Sequence, residues 1–194
     1  MVIATNGYTD GLWPGLKATV VPANSFQIAT EILPESLRQR ILPADSALSE
    51  TRRIGTYYRL SPDGRFMIGG RGSFREPRCP STFAGLIAEM ARFYPSIPRA
   101  TISYRWAGRV AMTRDHLPHL HQPAPGLTVA LGYNGRGGAL SSAMGLTIAA
   151  HLLDPDQPLP FRPGPVAPMP LHRLHPIYAS MAIWGYRLRD ALER

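Results

Sequence analysis

Leu127-Thr-Val-Ala-Leu-Gly132-Tyr-Asn-Gly135-Arg-Gly137-Gly138-Ala-Leu is the stretch on which the fold turns. Leu127 to Leu131 is a short run of apolar and β-branched residues, the pattern of a strand. A glycine-dense turn follows at once, and Ala139 to Leu153 reads as a helix with small-residue packing at Ala143-Met144-Gly145. Glycines there let the backbone adopt positive φ and approach a ligand closely. The first helical amides then point outward, with the positive end of the helix dipole behind them. That geometry suits an anion or an electron-rich oxygen. The spacing G-x-x-G-x-G-G is neither the dinucleotide fingerprint nor a P-loop. On pattern alone, a tight connection that holds no ligand is the competing reading.

Working outward, Val2-Ile3-Ala4 reads as a buried strand that ends in the turn Thr5-Asn6-Gly7. Lys17 to Thr30 is a second strand region, with Ala18-Thr-Val-Val and then Phe26-Gln-Ile-Ala-Thr. Gly55 to Leu60 and Phe66 to Gly70 flank Ser61-Pro-Asp-Gly-Arg, a strong hairpin signal. In that hairpin Tyr57 and Arg59 share one face, and Tyr58 shares the other with Leu60. Phe83, Leu86, Ile87, Met90 and Phe93 have the spacing of an amphipathic helix over Thr82 to Tyr94. Ser81 is its expected N-cap, and Pro95 and Pro98 stop it. Ile102 to Val110 is a further strand, with Trp106 expected in the core. Asp154 to Pro170 is Pro-rich and irregular. Pro176 opens a last helix whose stripe of Ile177, Met181, Trp184, Leu188 and Leu192 is expected to dock on its own domain rather than on a membrane surface.

The composition sets the outer limits. Of 194 residues, 44% are hydrophobic and 18% charged, which allows a buried core. Eighteen Gly and twenty Pro exceed the roughly 12% of average usage, without a collagen period. No apolar run approaches the ~20 residues of a membrane span. No leader pattern of basic and then apolar residues is visible, so the cytoplasm is the expected compartment. Cys79 is the single cysteine, which excludes a disulfide framework and a cysteine-based zinc site. The net charge of +8 comes from scattered arginines, Lys17 being the only lysine, so nucleic acid is not an expected partner. Asp115, His116, His119 and His121 are of metal-ligating type, but Pro118 breaks any helix that would align them, and no metal is expected.

Five segments, in order, carry a family resemblance. They are Ile3-Ala-Thr-Asn-Gly-Tyr, Val21-Pro-Ala-Asn-Ser-Phe-Gln-Ile-Ala-Thr-Glu, Tyr57 through Gly70, Trp106-Ala-Gly-Arg-Val-Ala-Met-Thr-Arg-Asp-His-Leu-Pro-His, and Gly132-Tyr-Asn-Gly-Arg-Gly. The chain resembles the C-terminal part of FAD-dependent oxidoreductases of the D-amino acid oxidase and sarcosine oxidase superfamily. Within it, the likeness is to bacterial gamma-glutamylputrescine oxidase-like enzymes. The resemblance implies an α/β (α+β) fold: an antiparallel substrate-domain sheet plus the C-terminal remnant of a FAD-binding domain. It divides the chain into residues 1–16, the end of the first FAD-domain segment; 17–108, the substrate-binding domain; 109–153, the return segment with the flavin loop; and 154–194, a Pro-rich tail and helix.

The implied reaction is oxidation of a C–N bond of an amine or amino-acid-like substrate by hydride transfer to FAD, with dioxygen or another electron acceptor. By similarity, Gly132, Tyr133, Asn134, Gly135, Arg136, Gly137 and Gly138 form the loop over the flavin. Thr5, Asn6 and Gly7 lie near the rest of the cofactor. Arg136 stands where many relatives have His, and either assists the flavin or faces solvent. Tyr57, Tyr58, Arg59 and Arg136 are the catalytic candidates. Val110 stands where small α-amino-acid oxidases place a carboxylate-binding Arg, with Arg109 one residue off, which favours an amine or a longer conjugated amine as substrate. No Cys occupies the attachment region of covalent members, so the FAD is expected to be noncovalent. The family's glycine fingerprint and acidic ribose partner are not in this sequence, so the chain is expected to be a fragment, inactive alone. The alternative from another class is a non-catalytic Arg-rich module for anionic partners.

Overall fold

The computed structural model describes residues 1–74, 76–97 and 102–193; Pro98, an expected helix stop, lies outside them. The chain divides into two compact units, Met1–Ala23 with Arg109–His175, and Asn24–Gly108 with Pro176–Arg194.

The first unit is built on a three-stranded sheet of order β1-β8-β7. Strand β1 (Val2–Ile3) runs parallel to β8 (Leu127–Leu131), with Val2 opposite Thr128 and Ile3 opposite Val129. Strand β7 (His119–Ala124) pairs antiparallel on the other side of β8. Every residue of β8 is buried, because both of its faces are covered. Leu127, Val129 and Leu131 pack with Ile3, Leu16, Val20 and Ala111. Ala130 packs instead with Leu120, Tyr133 and, from helix α3 (Gly137–Leu153), Met144 and Ile148. The expected strand at Ala18-Thr19 is a 3-10 turn, Leu16–Thr19; the Thr19 hydroxyl donates to the Leu16 carbonyl at 2.8 Å and tightens it. Strand β2 (Val21–Ile32) starts two residues later.

The second unit carries the sheet of order β3-β4-β5-β2-β6. Strands β3 (Leu48–Ser49), β4 (Thr56–Leu60) and β5 (Arg65–Arg71) pair antiparallel in succession, and β5 pairs antiparallel with β2. The hairpin between β4 and β5 closes with Gly64 N–H donating to the Ser61 carbonyl at 2.8 Å and Gly64 at φ 88°. Alternation puts Phe66 and Ile68 on one face, with Phe26 and Ile28 of β2 beside them and Leu86 and Met90 of helix α2 (Ala84–Phe93) covering them. Burying Phe66 completely contributes about 1.5–3 kcal/mol. Helix α1 (Glu35–Ile41) adds Ile41 to the same core.

Three expectations are corrected here. Ser81 is not the N-cap of α2. A 3-10 turn, Pro80–Phe83, leads in, the capping position falls on Phe83, and the Ser81 hydroxyl meets the Cys79 Sγ at 2.9 Å. Trp106 is not a core residue. Its strand β6 (Ile102–Met112) is a sheet edge, and the side chain is 39% exposed.

The stripe of helix α4 (His175–Leu192) does not dock; Met181 and Trp184 are each 69% exposed. The helix turns its nearly opposite face, with Ala179, Ile183 and Asp190, inward. A polar clamp sets that rotation. The Asp190 carboxylate accepts from the Arg53 backbone N–H (3.2 Å), the Arg53 guanidinium (3.1 Å) and the Ile54 N–H (3.4 Å).

Two predictions follow from these packings. Gly64→Val puts a β-branched residue at φ 88° with its Cβ 2.7 Å from the Arg38 guanidinium. It should destabilise the chain by about 1–2 kcal/mol, read as a lower urea midpoint. His121 is buried, its Nδ1 bonded to the Gly164 carbonyl at 2.9 Å and its Nε2 without a partner among the described residues. Burial holds its pKa below the ordinary value, and half-buried His175 shifts the same way for the same reason. Below about pH 6.5 the unfolded chain therefore binds more protons than the folded one, and stability falls as pH falls. The thermal midpoint should drop from about pH 7.5 to pH 5.5, and His121→Asn should make that drop smaller.

Candidate functional site

The loop from β8 into α3 is shaped by left-handed backbone. Gly132, Asn134 and Gly135 have φ of 83°, 52° and 87°. Three such residues among four reverse the chain and bring it straight onto the helix axis. Asn134 tolerates the conformation because its amide is satisfied locally. Its Nδ2 donates to the Gly132 carbonyl (2.6 Å) and to the Thr113 hydroxyl (2.9 Å), and its Oδ1 accepts from the Thr113 N–H (2.8 Å). The Thr113 hydroxyl donates to the Leu117 carbonyl at 2.9 Å. The Asn134 N–H donates to the Ala111 carbonyl at 3.1 Å. The loop is thereby pinned to the end of β6.

The turn after β1 meets the same loop. Asn6, itself at φ 46°, accepts from the Gly132 N–H through Oδ1 at 3.0 Å. A Cβ on Gly7 would lie 2.5 Å from the Arg109 carbonyl oxygen, so the turn passes only as glycine. The Thr5 and Thr9 hydroxyls are 2.8 Å apart. Thr5-Asn6-Gly7 and Gly132 to Gly138 are therefore one assembly, in which Asn6 serves the loop with its side chain.

What the assembly presents is backbone. The amides of Gly137, Gly138 and Ala139 precede the first intrahelical bond, which Leu140 makes to the Arg136 carbonyl at 3.1 Å. Gly135 and Gly138 are exposed, with no atom within 4 Å of where a Cβ would stand. Three donors and the positive end of a seventeen-residue helix thus lie beside two exposed positions that carry no Cβ. Tyr133 is in the core, and burial raises its phenol pKa. The Arg136 guanidinium donates to the His116 carbonyl at 3.0 Å.

Tyr57, Tyr58 and Arg59 belong to the second unit. Tyr58 packs among Phe66, Phe93 and Tyr94. Tyr57 and Arg59 occupy the opposite face, exposed, with the Tyr57 phenol 2.7 Å from the Ser25 hydroxyl. Sequence reasoning missed Thr113, Ala111 and the His116 carbonyl, which hold the loop from a distant segment. No local pattern marks them.

Among the described residues no three or more His, Cys, Asp or Glu side chains are grouped to hold a metal ion. His119 pairs with Asp115 at 3.1 Å. Arg38, Arg52, Arg53, Arg65 and Arg92 are spent in ion pairs with carboxylates. No helix among the described residues is long and apolar enough to cross a membrane.

Comparison with known proteins places this architecture. The chain is similar to a probable oxidoreductase OrdL of Rhizobium meliloti, 32% identical over 147 residues, which covers 74% of this chain and 33% of that protein. It is 28% identical over 196 residues to the gamma-glutamylputrescine oxidoreductase of Escherichia coli, covering 99% of this chain and 46% of that one. The chain thus spans less than half the length of these relatives. Among solved structures, glycine oxidase of Bacillus cereus matches with a TM-score of 0.61 at 18% identity, over 82% of this chain and 44% of that one. A fructosyl peptide oxidase matches at 0.62 and 14%, over 86% and 48%. These two likenesses show a shared fold. The family described as FAD dependent oxidoreductase matches residues 1–151, and the chain belongs to that family, DAO.

Proposed function

We propose that this chain supplies the flavin loop and the substrate-domain sheet of an oxidoreductase that oxidises a C–N bond of an amine or amino-acid-like substrate. One observation carries the reading: the free amides at the start of α3, on a glycine surface pinned from β1 and β6. A flat, electron-rich ring fits such a surface, because the absence of Cβ atoms at Gly135 and Gly138 leaves the backbone open to contact. The backbone of Gly135, Gly137 and Gly138 would hold the ring of FAD without a covalent bond. FAD when bound supplies the two-electron oxidation of the substrate, and dioxygen or another acceptor takes the electrons on.

The part of the protein is electrostatic and positional. The amides and the helix dipole stabilise negative charge at the ring edge they face. Asn134 and Asn6 fix the direction of those amides, so no reorganisation is needed when charge develops. Arg136 acts as a staple of the loop to the segment before β7, through the His116 carbonyl. Tyr57 and Arg59 are the substrate-side candidates, and Tyr58 is a packing residue. Val110 offers no charge to a substrate carboxylate at the position where small α-amino-acid oxidases hold one. That favours an amine or a conjugated amine, in keeping with the name of the Escherichia coli relative.

The loop covers only part of a dinucleotide, and no G-x-G-x-x-G occurs in the 194 residues. The 194-residue chain by itself should therefore lose FAD on desalting and leave amines unchanged. Stoichiometric yellow colour that bleaches with an amine would overturn this. Supplying the N-terminal half of the Escherichia coli relative in trans should restore retention of the visible flavin absorbance. Gly135→Asp should then abolish it, because a carboxylate brings bulk and negative charge to the bare surface. Equal retention by wild type and Gly135→Asp would count against the loop as the flavin site.

A further inference from the structure

Within the second unit, β5, α2 and α4 enclose a cleft of about 830 Å³. It lies on the face of the sheet that carries Phe26, Thr56 and Gly70, opposite to Tyr57 and Arg59. Its walls are largely apolar, with Phe26, Leu86, Ile183 and Trp184.

The charges in the cleft do not balance. Glu89 is bonded to Arg52 (3.2 Å) and Arg92 (2.8 Å), and Asp190 to Arg53 (3.1 Å). Arg52 is also paired with Glu50. Every carboxylate lining the cleft is thus already matched. Arg71 and Arg187 also line it, and among the described residues neither guanidinium has a carboxylate partner. The Arg71 Nε is buried without an acceptor, and its guanidinium lies over the Phe74 ring at 4.7 Å. Burial, and then the neighbouring Arg187 charge, push the Arg71 guanidinium below its ordinary pKa. A partly desolvated cation beside a second cation, with no carboxylate partner among the described residues, is a costly arrangement for a fold to keep.

We propose that this cleft is a binding site for an organic monocarboxylate with an apolar body, its carboxylate held between Arg71 and Arg187 and its body against Leu86, Ile183 and Trp184. A guanidinium fork matches a carboxylate in shape as well as charge, and the volume is that of a small-molecule site. The acid supplies the anion that the two guanidinium groups lack and offsets one of their two charges. The site belongs to the second unit alone and is independent of the function proposed above.

The test uses the 194-residue chain without FAD, with naphthalene-2-carboxylate as probe, followed by calorimetry and tryptophan fluorescence. Saturable one-to-one binding is expected, with uncharged 2-methylnaphthalene about ten-fold weaker or worse. Arg71→Met and Arg187→Met should each weaken the carboxylate about ten-fold or more. Arg71→Met should keep or raise the thermal midpoint, because an unpaired buried cation is removed while an apolar stem is retained; a merely structural arginine would lower it. Absence of carboxylate binding to wild type, equal binding of the uncharged analogue, or unchanged binding to Arg71→Met would overturn the proposal. Displacement of the probe by an equal concentration of inorganic phosphate would overturn it too, by showing a plain phosphate site.

Discussion

The parallel pairing of Val2–Ile3 with Thr128–Val129 is the constraint on which the first unit rests. A two-residue strand has almost no stability of its own. It is held because β8 offers a ladder on one side and because Ile3 enters the core with Leu16, Val20, Val129 and Leu131. Closing that pair joins segments about 125 positions apart, a loop-closure cost that local structure cannot offset. Once closed, it delivers Asn6 to the Gly132 N–H and lets Gly7 pass against the Arg109 carbonyl. The site is a consequence of the pairing.

The chemistry of that site lies in the backbone more than in side chains. Side chains determine where amides point, and the amides at the start of α3 are left outside the helix's own bonding. Asn134 shows the division of labour: its side chain and its N–H bond internally to Gly132, Thr113 and Ala111, in a residue whose left-handed φ aims its neighbours. Tyr133 goes to the core and Arg136 to the His116 carbonyl. This leaves the exposed Gly135 and Gly138 at the positive end of α3.

The second unit uses charge differently. Asp190 fixes the rotation of α4 by accepting from Arg53 and Ile54, and it does so against the hydrophobic preference of the helix. Burial alone would raise the Asp190 pKa, but those donors hold it below the ordinary carboxylate range. With Glu50 and Glu89 engaged by Arg52 and Arg92, the unit has used the carboxylates of its cleft, and Arg71 and Arg187 are left over.

Much of this was legible in the residues themselves. The continuous apolar run of β8, the Pro-Asp-Gly turn and the spacing of Leu86 and Met90 report local structure, which depends on near neighbours. The order of segments reported the family. Three things needed the tertiary structure. Trp106 looks like a core residue until β6 is seen as a sheet edge, and edge status is a property of strand order. The α4 stripe has the periodicity of a buried face, yet the helix's own Asp190, clamped by donors of a segment over 130 positions away, turns it outward. Thr113, Ala111 and His116 become loop supports only through hydrogen bonds from other elements. Periodicity and turn chemistry are written in residues a few places apart, whereas facing, pairing and charge balance are settled by which distant groups meet, and no short stretch of sequence contains that.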